Sequence, residues 1–282
     1  MKNSPVFMLL NARHLVLLVA TIMISTLASA APKSDAWAIW DASDESNTAS
    51  IDHSDWQHVL ETYVVGDGNG LNLFNYGGVS AEDKKRLDTY LDTMQNLDPR
   101  AYSSDEQEAY WINMYNALTV KLIVDNYPVK SITKLGGLLS FGPWDKEVAE
   151  VAGEKLTLND IEHRILRPIW QDSRVHFAVN CASIGCPNLQ GTAFTADNKE
   201  ALLEKGAVDY LSHPRALKFD NDGKLHLSSI FDWYGIDFGD SSSEIFQSLS
   251  KWAPEGYSQK LASYTGRVKY DYDWGLNDNP ES

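Results

Sequence analysis

The chain has 282 residues, 24 Lys and Arg against 39 Asp and Glu for a formal net charge of −15, 43% hydrophobic and 11% aromatic residues, and two cysteines. That length and aromatic content supply a real core and exclude a disordered chain, a collagen and a disulfide-knotted miniprotein. A surface this acidic repels phosphates and no local basic patch offsets it, which excludes nucleic acid as a partner and unspecific binding to anionic lipid.

Taken from the start, Lys2 and Arg13 precede an apolar stretch from Leu15 to Leu27, and Ala28-Ser29-Ala30 supplies the small residues that signal peptidase needs. Residues 1–30 are read as a signal peptide cut after Ala30, leaving a periplasmic or secreted protein. The apolar core is short for a membrane span of about 20 residues and no other segment approaches that length, so no membrane insertion is expected after removal. Residues 31–50, rich in Ser, Asp and Ala, are read as a flexible leader packing through Trp37 and Trp40. Residues 51–282 form a single domain.

Within that domain Asp55 to Val64 reads as a helix, and Gly66-Asp67-Gly68-Asn69-Gly70 as a turn. Leu71 and Gly78 stand where the fifth and twelfth positions of a calcium loop would need oxygen ligands, so that turn is not an EF-hand. Ser80 with Asp83 makes a capping box for a helix through Met94, and a longer helix runs from Ser104 to Asn126, stopped by Pro128. Thr157 with Asp160 caps a helix through Arg167, ended by Pro168. Arg174 to Asn180 alternates and is predicted as a strand, Ala196 to Leu211 as a helix, and the last seventy residues as short strands with aromatic-rich loops. The predicted class is α+β, helices packed around a small, mainly antiparallel sheet.

Polar residues stand at core positions of two helices. Asn113 and Asn116 share a stripe with Ala109 and Val120, and Glu108 lies one turn before. A buried amide without partners costs about 1–3 kcal/mol, so each Asn braces a loop or meets substrate. Glu162 falls inside the apolar arc of Ile161, Ile165, Leu158 and Leu166, with His163 on its flank. The pair either anchors the helix or performs acid/base chemistry.

The segment Cys181-Ala182-Ser183-Ile184-Gly185-Cys186-Pro187-Asn188 follows the predicted strand, crowding reactive groups into one turn whose free N–H groups can hold an oxyanion. A thiolate attacks carbonyl carbon once a His or helix N-terminus lowers its pKa. His176 is excluded as the base because five extended residues span roughly 16 Å; His163 is the best available, with His213 and His226 weaker. Four readings of the cysteine pair stay open: a disulfide, a zinc site with two histidines, a reactive Cys181, or two plain buried thiols. The zinc reading is poor, because four residues separate the cysteines and no His pair is clustered. No cofactor is implied.

The runs EAYWINMYNALT (108–119), IEHRILR (161–167) and RVHFAVNCASIGCP (174–187), with Phe141-Gly142-Pro143-Trp144 and Leu227 to Tyr234 leading to Asp237-Phe238, resemble the DUF547 family over roughly residues 55–275. The resemblance implies a compact α+β unit, a bacterial exported single-domain protein, and a role for Cys181 rather than an obligatory disulfide. It implies no settled activity. Two functions follow as expectations. The first is a thiol-dependent hydrolase or acyl transferase acting on an amide, thioester or isopeptide, with Cys181 as nucleophile, His163 as base, Glu162 as orienter, and Glu108, Asn113, Asn116, His176, Asn180 and Ser183 facing substrate. The second is a non-catalytic envelope module that binds a peptide or glycan through its aromatics.

Overall fold

A computed structural model of the chain describes residues 33–137 and 141–279. The expected signal segment and its cut after Ala30 lie outside the described residues. The class is α+β, as expected, but the strands form three small sheets rather than one. Two are antiparallel hairpins, β1 (Val64–Gly66) with β2 (Asn72–Phe74) and β3 (Glu147–Val151) with β4 (Glu154–Thr157). In the third, β5 (Leu217–Phe219) pairs antiparallel with β6 (Leu225–Ser228), which pairs in parallel with β7 (Val268–Asp271), setting Leu227 beside Tyr270.

Capping chemistry places the early helices. α1 (Ser54–Tyr63) leads through β1 into the glycine turn, where the Asp67 carboxylate accepts from the N–H groups of Asn69 and Leu71 at 2.7 and 2.9 Å. Ser80 Oγ accepts from Asp83 N at the start of α2 (Ala81–Gln95), and the Asp83 carboxylate accepts from Ser80 Oγ and, at 2.7 Å, from Tyr63 OH, tying α2 to α1. α3 (Ser104–Asn126) is capped by Ser103 and ends before Pro128. It is buried without a break from Glu106 to Val120 and so has no solvent face there. α2 and the 158–170 helix pack on it.

That later helix differs from expectation. Thr157 and Asp160 do form the box, each capping the other's N–H. The turns that follow are π-helical over Asp160–Leu166, with Arg167 N–H bonding the Glu162 carbonyl, and continue through Pro168 as α4 (Arg167–Trp170) until Gln171 at φ 51°. Pro168 brings no N–H to the Arg164 carbonyl four residues back. Trp37 N–H supplies that bond at 2.9 Å, and Asp35 N–H reaches the His163 carbonyl at 3.1 Å. Residues 33–50 are thus held by more than the rings of Trp37 and Trp40, since Asp44 N–H also bonds Tyr102 O at 2.9 Å.

The predicted strand over 174–180 is not formed. Ser173–Phe177 is a 3₁₀ helix capped by Asp172, whose side chain accepts from Arg174 N. Every residue from Val175 to Asn180 is buried, so the sequence alternation marks no solvent face. The segment lies between two hydrophobic clusters: Val175, Ala178 and Val179 belong to the one around α3, whereas Phe177 packs with Tyr210, Phe231 and Phe238 in the second. α5 (Lys199–Leu211) begins three residues later than expected, after Thr195 and Asn198 cap one another. The last seventy residues, expected as short strands and aromatic-rich loops, also contain α6 (Ile230–Trp233), α7 (Ser242–Leu249) and α8 (Glu255–Ala262).

Gly206 on α5 is the close approach to the 3₁₀ helix: a Cβ there would sit 2.8 Å from the Phe177 carbonyl oxygen. On an open helix Gly→Ala stabilises by about 1 kcal/mol. Gly206→Ala is expected to destabilise by about 1–3 kcal/mol instead, measured as a lower urea midpoint at unchanged m.

Candidate active site

The loop that carries Cys181 is built on the buried amides of α3. Asn116 Nδ2 donates to Ala178 O at 2.9 Å and its Oδ1 accepts from Asn180 N at 2.8 Å. Asn180 in turn spans the loop, accepting from Ala182 N at 2.9 Å and donating to Pro187 O at 2.7 Å. Ala182 takes φ 56°, a left-handed conformation that a residue with a Cβ adopts at a cost. The loop is closed from outside by the segment after β7, with Ile184 N–H on Gly275 O and Gly185 N–H on Asp273 O, both at 2.8 Å. A Cβ on Gly185 would lie 2.8 Å from Asp273 N, so only glycine admits this crossing.

The crossing delivers Tyr272. Cys181 is half-buried, and its Sγ lies 3.0 Å from Cys186 Sγ, 3.0 Å from Tyr272 OH and 3.2 Å from Ser183 Oγ. The two hydroxyls are 2.9 Å apart, and Cys181 N–H points at Cys186 Sγ at 3.0 Å. Both cysteines are free thiols. A hydrogen bond from Cys186 pulls the Cys181 thiol below its usual pKa against the effect of burial, with Ser183 and Tyr272 adding to the pull and the negative Glu162 opposing it. Burial, and then the bond to Cys181, push Cys186 well up. The thiolate therefore belongs on Cys181.

Six amides of the turn are already taken. The N–H groups of Asn180, Cys181, Ala182, Ile184, Gly185 and Cys186 all donate within the protein. Donors for an oxyanion at this sulfur are the side-chain hydroxyls of Ser183 and Tyr272.

A second group of charges is near enough for Glu162 to act on the sulfur. Glu162 Oε1 lies 3.9 Å from His163 Nδ1 and 3.8 Å from His176 Nδ1, all three side chains being buried. The π turn explains why both Glu162 and His163 face inward, where an α-helical wheel puts His163 on the flank. Arg167 Nη1 donates to His163 Nδ1 at 3.1 Å; since Arg only donates, the His163 proton sits on Nε2 and its lone pair is occupied. Burial lowers the His163 pKa, and Arg167 adds to that lowering. His163 is therefore poorly placed to take a proton.

His176 is arranged differently. Its Nε2 bonds Asp237 Oδ2 at 2.6 Å, and the same carboxylate receives Arg167 Nε at 2.6 Å and Nη2 at 3.1 Å. With Asp237 on Nε2, the Nδ1 lone pair of His176 is left to act, and Tyr234 stacks on the ring at 4.4 Å. The strand argument against His176 as a base lapses with the strand. Asp237 had no local signal in the sequence beyond its place in the family-like run. Among the described residues no hydrogen bond joins Cys181 to an imidazole, and no group of three His, Cys, Asp or Glu could hold a metal ion. His213 bonds Arg215 N and His226 faces Asp220, away from the sulfur's contacts.

The remaining candidates are braces. Glu108, raised by burial although Lys199 counters it, is paired with buried Lys199. Asn113 clasps the backbone of Phe194, donating to O at 2.7 Å and accepting from N at 3.0 Å. Ser183 alone of the set touches the sulfur directly.

Comparison with known proteins bears on this geometry at one point. Residues 99–211 match the DUF547 family model, described as a protein of unknown function. The DUF547 match takes in Glu162, His163, His176 and both cysteines but is shorter than the 55–275 span of the resemblance, leaving Asp237 and Tyr272 outside it. No curated protein and no solved structure matches the chain.

Burial pushes the Asp237 carboxyl up, but hydrogen bonds from His176 and Arg167 and their positive charge hold it down at about 2. A depressed carboxylate stabilises the fold above its unfolded value of about 3.9, and the contribution is lost as pH falls toward 2. Asp237→Asn is expected to flatten the fall of Tm over that window. At neutral pH it is also expected to cost about 3–5 kcal/mol, because one partner of the buried Arg167–Asp237 ion pair is removed. Calorimetry across the pH series checks both effects.

Proposed function

We propose that this protein is an exported thiol-dependent enzyme, a hydrolase or acyl transferase in which Cys181 attacks the carbonyl carbon of an amide, thioester or isopeptide. One observation carries the reading: the sulfur of a partly buried cysteine held by Cys186, Ser183 and Tyr272 at 3.0–3.2 Å in a strained loop. Attack by the thiolate pushes the carbonyl electron pair onto oxygen, where the Ser183 and Tyr272 hydroxyls supply the hydrogen bonds that backbone amides give elsewhere. Collapse expels the leaving group, water or an acceptor nucleophile releases the thioester, and His176, oriented by Asp237, carries the protons in place of His163. Glu162, 3.8 Å from the His176 Nδ1, favours the charge on the ring once that nitrogen has taken a proton. Export is supported by the basic, apolar and small-residue order of the first thirty residues.

A non-catalytic reading draws on the aromatic group beside the sulfur. Tyr272 packs on Trp274 at 4.5 Å and Trp233 at 4.9 Å, and Trp274 continues to Trp144 and Phe141, the last 66% exposed. In the enzyme these rings are the wall along which a peptide or glycan lies.

Three measurements test the proposal. Iodoacetamide is expected to label Cys181 at pH 7 at least about tenfold faster than free cysteine; a slower rate with both thiols reduced overturns the nucleophile. Hydrolysis of aryl thioester and ester probes should fall more than about 1,000-fold in Cys181→Ser and at least about tenfold in His176→Ala. Retained turnover in Cys181→Ser, or aromatic ligands bound with no turnover by either protein, leaves the binding module. For export, Edman sequencing of the envelope-fraction protein should begin at Ala31, and a chain starting at Met1 would refute it.

A further inference from the structure

We infer that Cys181 and Cys186 are a peroxide-oxidised dithiol, Cys181 taking the oxygen and Cys186 resolving it to an intramolecular disulfide. The inference stands apart from the acyl-transfer reading, because it needs only the two sulfurs and their neighbours.

The geometry distinguishes the roles. Cys181 is partly buried, whereas Cys186 is 6% exposed and faces the Val179 carbonyl and the Cys181 backbone N–H. Their sulfurs are 3.0 Å apart, inside van der Waals contact, so bond formation needs a small closure and no rearrangement of the loop. The loop is also held against such rearrangement by the Asn180 carboxamide and by the 273–275 crossing. The direction of the two thiol pKa values agrees, the less buried cysteine being the more acidic.

The chemistry balances with hydrogen peroxide as the only co-reactant. The Cys181 thiolate attacks one peroxide oxygen, the O–O bond breaks, and the departing hydroxide takes a proton to leave as water, giving Cys181 sulfenic acid. Cys186 sulfur then attacks Cys181 sulfur, the S–O bond breaks, and the hydroxyl leaves as a second water with the proton given up by Cys186. Two thiols lose two electrons and peroxide gains them. Ser183 Oγ and Tyr272 OH, 2.9 Å apart and both on Cys181 Sγ, flank the oxygen in each step and can pass the proton along. Once the disulfide forms, the nucleophile of the proposed enzyme is masked.

The test uses the full processed chain, reduced and then exposed to a few equivalents of hydrogen peroxide, with N-ethylmaleimide trapping and peptide mass mapping. The expected product of the unaltered protein is a monomer lighter by about two daltons in which neither cysteine is trapped. Cys186→Ser should stop at a Cys181 sulfenic acid captured by dimedone. Cys181→Ser should lose its remaining thiol at least about tenfold more slowly. Sulfinic or sulfonic acid at Cys181 without disulfide, an intermolecular dimer, or equal oxidation of Cys186 in Cys181→Ser would overturn the assignment. The unaltered protein decides the first two outcomes, so poor folding of a variant cannot shield the inference. Failure here leaves iodoacetamide labelling and thioester turnover untouched, which separates it from failure of the enzyme reading.

Discussion

The clasp made by Asn116 on α3 is the constraint on which the rest of the site depends. One buried carboxamide satisfies Ala178 O and Asn180 N together, so the chain leaves the 3₁₀ helix in one direction only, and the next amide, Asn180, shapes the turn that follows. Each of these groups is sealed from water, where an unmade hydrogen bond costs about 1–3 kcal/mol. The network is therefore either complete or costly, and the complete arrangement is the one that lifts Cys181 toward solvent. Asn113 repeats the device on Phe194, with Gln57 bonding the neighbouring Ala193 N–H. α3 is thus both the centre of the core and the template for the loops above it.

Where the sequence speaks through local chemistry it is readable. Ser80 with Asp83 and Thr157 with Asp160 place helix starts because a cap and its partner lie within four residues of each other. The α+β class follows from those helices and from the short glycine-punctuated strands. Periodicity misleads at 174–180, where burial on all sides leaves nothing for alternation to report. It misleads again at His163, placed on the flank but buried, where the π turn changes the angle per residue. Pro168 fails as a stop because Trp37, 131 positions earlier in the numbering, serves the carbonyl that proline cannot.

The site itself is half legible. Cys181 and Ser183 stand out as reactive groups crowded into one turn and Glu162 as a carboxylate inside an apolar arc, and each is within the sulfur's contacts or its field. Their partners do not stand out. Asp237 and Tyr272 come from a region read as strands and aromatic loops, and their identity as partners of His176 and Cys181 is set by tertiary packing alone. The choice between His163 and His176 likewise turns on which nitrogen Arg167 occupies, a matter of angle and distance that no spacing rule contains.

The segment that closes the Cys181 loop has a consequence for biosynthesis. Tyr272 follows Cys181 by 91 positions, and the backbone of Asp273 and Gly275 that locks Ile184 and Gly185 is made later still. During translation the sulfur leaves the ribosome with Ser183 beside it but without the Tyr272 hydroxyl. The share of its acidity that comes from Tyr272 is added only when parallel pairing of β7 with β6 brings the late segment home, so the order in which the parts are made is also the order in which the site is completed.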